Sequence, residues 1–161
     1  MKTKMTIKNQ NGASAVEFAI IAPLLLVLLF GILEGGLALY NKAVITNACR
    51  EGARDGIVLR SPQLTQPELD QLVLDTVINY TTSRLISFDG NEAPNNNGSQ
   101  LTPPIVLTEV NGISGIGPGD SLTVRVEYPY SFLAFPNLLA LIKGSYSNTI
   151  LLTAETIMRF E

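Results

Sequence analysis

Apolar residues crowd the first quarter of the chain and recur only at measured intervals after it. Gly12 to Tyr40 reads GASAVEFAIIAPLLLVLLFGILEGGLALY and carries no charge from Phe18 to Leu33. If Glu34 is tolerated, the run covers roughly the 20 residues that a helix needs to cross about 30 Å of hydrocarbon. Lys2, Lys4 and Lys8 precede it with no acidic residue. The positive-inside bias then predicts a cytoplasmic N-terminus and a chain that emerges outward after about residue 40.

Beyond Tyr40 the pattern stays helical but becomes two-faced. Val44, Ala48, Gly52 and Gly56 form one column and Ile45, Cys49, Ala53 and Ile57 its neighbour, while Thr46, Arg50, Arg54 and Asn47, Glu51, Asp55 form polar columns. This order predicts a helix from about Ala15 to Val58, about 65 Å long, that leaves the membrane and continues into an outer domain. Val44, Ala48, Cys49, Gly52, Ala53 and Gly56 make its expected contact face, small enough for another backbone to approach closely. Two occupants stay open at this point: the chain's own sheet, or helices of neighbouring molecules. Pro23 is expected to kink or loosen the helix around residues 19 to 22. Glu34, Gly35 and Gly36 lower helix propensity near the outer membrane face and allow local melting there.

Ser61 and Pro62 are expected to end that helix. Thr65 ahead of Gln66, Pro67 and Glu68 reads as an N-cap with an acidic first turn, opening a second helix through about Leu85 with Leu69, Leu72, Val73, Thr76, Val77 and Tyr80 at helical spacing. From Ser87 to Pro104 Gly, Asn, Pro and Asp predict a loop. Strands follow: Pro104 to Val110, then Ser121 to Tyr128 with Leu122, Val124, Val126 and Tyr128 on one face, then Ser147 to Glu161 with Ile150, Leu152, Ala154, Thr156, Met158 and Phe160 on one face. Pro129 is expected to interrupt the sheet, and Tyr130 to Ile142 to form a loop with a helical turn, serving as a core cap or as a surface for lipid or a partner. The fold class is α+β: a long N-terminal helix, partly transmembrane, packed on a small antiparallel β-sheet. The expected division is a basic leader over 1–12, a transmembrane helix over 13–40, and an outer α+β domain over 41–161 that includes the helix continuation 41–60.

Composition narrows the function. About 120 residues outside the membrane suffice for one small domain. Removing the three leader lysines leaves eight basic against fourteen acidic residues, a net charge of −6, which speaks against a nucleic-acid partner. With no His and one Cys, His-based acid–base chemistry, catalytic triads and the usual zinc ligand sets are missing. No cofactor and no metal are expected, and the chain reads as a non-enzyme. Ser–Lys chemistry at Lys143 with Ser145 or Ser147 is the residual catalytic alternative. Asp89, Asn91 and Glu92 miss the calcium-loop spacing, because Ala93 and Pro94 stand where a ligand and a glycine belong. Cys49 has no internal disulfide partner and is expected to be buried.

Glu17 is the anomaly, a carboxylate at the head of the apolar run, and such a group calls for a partner. If the chain is cut between Gly12 and Ala13, Glu17 becomes the fifth residue of the mature chain, near a new α-ammonium group. This junction resembles the leader junction of type IV pilins and pseudopilins. Together with TNACREGARDG and the closing residues Ile157 to Glu161, it resembles the TadE-like family of minor pseudopilins of the tight-adherence pilus.

The resemblance implies a pilin-like fold and a minor pseudopilin subunit needed to assemble that pilus. It implies a processing site at Gly12 and Ala13, acted on by a prepilin peptidase, and an assembly-registry role for Glu17. The implied partners are other minor pseudopilins, a major Flp-type pilin, inner-membrane platform proteins, a secretion ATPase complex and membrane lipid. The implied location is the cytoplasmic (inner) membrane, crossed once, with the C-terminal domain periplasmic or extracellular. Two other fates of the opening segment remain: an uncleaved signal anchor, or ordinary signal cleavage after Gly36, Leu37 and Ala38. The uncleaved anchor would leave a tethered periplasmic binding domain that never polymerises, and signal cleavage would leave the same domain without its span.

Overall fold

The computed structural model describes residues 11–58, 64–86, 93–94, 100–101, 104–111, 116–133 and 149–160. Helix α1 spans Asn11–Gly56, 46 residues without a break. It passes through Pro23 as well as through Gly35 and Gly36, so the expected loosening and melting do not interrupt it. Proline removes one backbone donor, and the intact turns on either side carry the helix through. Its end comes at Gly56, two residues short of the expected Val58, where Ile57 still donates to the Ala53 carbonyl at 3.0 Å. The expected stop at Ser61 and Pro62 lies outside the described residues.

Helix α2 spans Gln66–Thr81. Glu68 folds back on Thr65 at its start and accepts from both its backbone N–H and its hydroxyl, each at 2.8 Å. These two bonds hold the Glu68 carboxyl below its usual range. The helix stops short of the expected Leu85, and a turn then brings the Leu85 N–H to the Thr81 carbonyl at 3.0 Å. Leu69, Val73, Val77 and Thr81 form its buried stripe, the 3–4 spacing of a helix lying on a core.

Within the segment read as a loop, two short strands, β1 (Ala93–Pro94) and β2 (Gln100–Leu101), pair antiparallel. Asp89, Asn91 and Glu92 lie outside the described residues. The main sheet comprises β3 (Ile105–Asn111), β4 (Ser121–Ser131) and β5 (Thr149–Arg159), antiparallel and in sequence order. Leu122, Val124, Val126, Tyr128 and Tyr130 of β4 point inward and are fully buried, and Ala154 of β5 and Phe160 just beyond it are buried as well. Gly119 takes the positive φ of 93° that the turn before β4 requires.

The sheet corrects one expectation. Pro129 does not interrupt β4; it pairs with Leu151, and the strand continues to Ser131. The partner strand β3 has already ended, since Ile105 pairs with Glu127. Among the described residues Pro129 therefore has a strand on one side only, where a missing backbone donor is tolerated. Tyr130 is consequently a core residue, packed edge-on against Phe132 with ring centroids 5.3 Å apart. The rest of the expected loop, from Ala134 to Ile142, lies outside the described residues, as do Lys143, Ser145 and Ser147.

Both helices cover one face of the sheet: α1 lies over β4 and β5, and α2 lies beside it over β3. Asp55 of α1 accepts from the Thr76 hydroxyl of α2 at 3.1 Å, and Asp70 of α2 accepts from the Thr108 hydroxyl of β3. Arg125 and Glu127 form an ion pair on the opposite, outer face at 2.8 Å.

Candidate functional site

Helix α1 changes character at Glu34. From Gly12 to Leu33 its large side chains face outward all round, with Phe18 71% and Leu24 70% exposed. Its most apolar 18-residue window has no residue buried inside the molecule, and it is long and apolar enough to cross a membrane. At 1.5 Å per residue these 22 positions measure about 33 Å, close to the hydrocarbon thickness of a bilayer. Apolar surface of this extent needs a cover other than water, and a membrane anchor fits it.

Every site residue expected from the sequence lies on this helix. Gly12 and Ala13 sit in its first turn and are exposed, with nothing within 4 Å of the position where a Gly12 side chain would start. Glu17 is exposed on the same uncovered half. The junction and the carboxylate are thus both presented outside the folded domain, on a stretch of helix that could lie against another molecule.

The expected contact face behaves differently. Val44, Ala48, Cys49, Gly52, Ala53 and Gly56 are all buried, and elements of the same chain fill the space. A Cβ on Gly52 would meet Val77 at 2.8 Å and Val73 at 3.2 Å, so α2 crosses there. A Cβ on Gly56 would strike Leu122 of β4 and approach Val73 to 3.1 Å. The sheet and α2 therefore share this face between them. Cys49 places its thiol 3.1 Å from the Val124 carbonyl and 3.8 Å from that of Ala154. Burial pushes this thiol above the ordinary cysteine range, more than the Thr156 hydroxyl lowers it.

Three polar positions that the fold buries or bonds, Glu34, Asn41 and Lys42, escape the sequence pattern. Glu34 is only 2% exposed and Asn41 is fully buried. Asn41 clamps the end of the α2 unit to α1: its amide donates to the Ile86 carbonyl at 2.5 Å and its oxygen accepts from the Ile86 N–H at 3.0 Å. Lys42 reaches across to donate to the Thr153 carbonyl on β5. A signal was present, since Glu34, Asn41 and Ala48 are seven apart and prolong the small-residue column backwards. Glu34 acts on Tyr130, whose hydroxyl is buried without a hydrogen-bond partner among the described residues. Burial raises the Tyr130 ionisation point, and the Glu34 charge adds to the rise.

No group of three or more His, Cys, Asp or Glu side chains suited to a metal ion occurs among the described residues. The model of the TadE-like protein family matches residues 12–54, which are nearly the whole of α1. That segment is similar to the family, and the family is associated with the tight-adherence pilus. No curated protein and no solved structure matches the chain.

Proposed function

We propose, from the TadE-like character of residues 12–54, that this chain is a minor pilin-like subunit needed to assemble a tight-adherence pilus. A prepilin peptidase removes residues 1–12 on the cytoplasmic side, and the new α-ammonium of Ala13 pairs with Glu17 of a neighbouring subunit. A carboxylate at the lip of a solitary anchor is unfavourable, whereas beside a neighbour's ammonium two costly charges cancel. Assembly thus follows from cleavage, because the ammonium does not exist beforehand. The outer domain faces the periplasm. Platform proteins and a secretion ATPase deliver the subunit to a filament of smaller Flp-type pilins, and the subunit itself has a structural role and no catalytic one.

The observation that carries this reading is that the matched segment, nearly the whole of α1, begins with an apolar half that no part of the domain buries and that holds one exposed carboxylate, Glu17. A second observation disfavours ordinary signal cleavage. A cut after Ala38 would remove Glu34 and Leu37, which the outer domain buries or half-buries.

N-terminal sequencing of the membrane-extracted protein is expected to begin at Ala13. An intact chain would replace the subunit with a tethered domain, and one that begins at Leu39 with a domain released from its span. Glu17→Ala is expected to leave cleavage intact and to abolish incorporation into sheared filaments; normal incorporation would remove the registry role.

A further inference from the structure

Helix α1 runs antiparallel to β4 along its covered length. Gly56 packs on Leu122, the Cys49 thiol reaches the Val124 carbonyl, and Lys42 donates to the carbonyl of Thr153, which pairs with Glu127 of β4. Tyr130 lies three residues beyond Glu127, about 10 Å further along the strand, and Glu34 eight residues before Lys42, about 12 Å further along the helix. The C-terminal end of β4 is therefore level with Glu34, where about 33 Å of bare apolar helix ends. The start of β5 lies at the same height, because Tyr130 pairs with Ile150, Pro129 with Leu151 and Ser131 with Thr149.

This lower rim of the sheet exposes apolar side chains that the core does not take up. Leu133, Ile150 and Leu151 are 53%, 40% and 58% exposed, and Leu39 and Tyr40 of α1 are exposed at nearby height. Leu39 and Tyr40 lie five and six residues past Glu34, about 8 Å higher along the axis. That distance matches the headgroup layer, in which tyrosine and apolar side chains settle. The chain that leaves Leu133 and returns at Thr149 carries the apolar sequence AFPNLLALI.

We propose that the rim formed by Leu133, Ile150 and Leu151 of the sheet with Leu39 and Tyr40 of α1 is a foot seated in the headgroup layer of the membrane that α1 spans. The occupant is the lipid surface because the rim is continuous with the apolar span and begins where the span ends. The foot sets the height and tilt of the outer domain, and it keeps buried Glu34 out of contact with lipid. Its contact is apolar, so it does not depend on salt. The proposal rests on α1 crossing the bilayer, and the test separates the two claims.

The chain contains no tryptophan, so one introduced at a time reports its own surroundings. Full-length Leu24→Trp, Leu151→Trp and Ile157→Trp are placed in phosphatidylcholine vesicles containing lipids brominated high on the acyl chain. Ile157 is the control: it is 62% exposed on the same strand, but six residues, about 20 Å, further from the rim. Leu24→Trp and Leu151→Trp are expected to emit at shorter wavelength and lose emission to bromine, while Ile157→Trp keeps its emission. Leu133→Trp supplies a second reporter just past the end of the neighbouring strand and is expected to behave as Leu151→Trp does. Quenching at Leu24 with none at Leu151 or Leu133 would overturn the foot and leave the span standing. Absence of quenching at Leu24 would remove the span and the foot together. Quenching at Ile157 equal to that at Leu151 would mean that the domain lies flat, which also overturns the foot.

Discussion

The two halves of α1 are one uninterrupted helix built on opposite rules. Between Gly12 and Leu33 most side chains are apolar, many are large, and none is buried; between Glu34 and Gly56 one stripe is small and buried. Bulk suits a helix whose surroundings adapt to it, as lipid does. A narrow stripe of Ala, Gly and Cys suits a helix that α2 and two strands must approach closely. The glycines make the same point. Gly35 and Gly36 have nothing within 4 Å where a side chain would start, whereas Gly52 and Gly56 are hemmed in by Val73, Val77 and Leu122. Identical residues on one helix therefore answer to a local backbone preference in one place and to tertiary contact in the other.

The largest expected effect comes from deleting the same side chain on each side of this divide. Leu122→Ala hollows the core beneath Gly56 and is expected to cost about 2–5 kcal/mol of domain stability. Leu24→Ala is expected to leave the thermal unfolding of the outer domain where it was. Equal losses in the two melting curves would erase the distinction between the halves.

Glycine replacement sharpens the comparison on a smaller scale. At Gly56 an added methyl group overpacks the buried contact with Leu122, costing about 1–3 kcal/mol, against a gain of about 1 kcal/mol in helix propensity. Gly56→Ala is thus expected to lower stability, while Gly36→Ala keeps only the propensity gain. Denaturant titration of both variants in detergent decides it, and a stabilised Gly56→Ala would show that the close approach is loose.

The smallest effect concerns Cys49, on the buried stripe. Its thiol holds its proton more tightly in the folded state than in the unfolded chain, because burial raises it. The stability it contributes is complete below about pH 8.5 and is lost as pH rises through the raised folded value. Alkylation at about pH 8 is expected to be slow in the native protein and fast in denaturant. Rapid modification of the native protein would place the thiol outside the packed stripe.

Much of this architecture was legible in the order of residues. Alternation of period two located β4 and β5 and put Val124 and Tyr128 on the inner face, a short apolar run located β3, and columns four apart picked out the contact face of α1. Thr65 with Glu68 marked the start of α2. Pro129 misled because local chemistry forbids proline only between two strand neighbours, and the point at which β3 stops is a property of the assembled sheet. Glu34 looked like a polar interruption of an apolar stretch, and Asn41 lay just past the end of that stretch. Their partners, Tyr130 and Ile86, lie 96 and 45 positions away along the chain.

The sequence by itself determined where the helix is bare, where it turns two-faced, and which faces of the strands are dry, because these depend on the spacing of side chains along a single element. Only the tertiary structure decided who fills the small stripe, that α2 shares it with the sheet, and that β4 ends level with Glu34. Those outcomes depend on contacts between residues far apart in the chain, formed once several elements compete for the same volume.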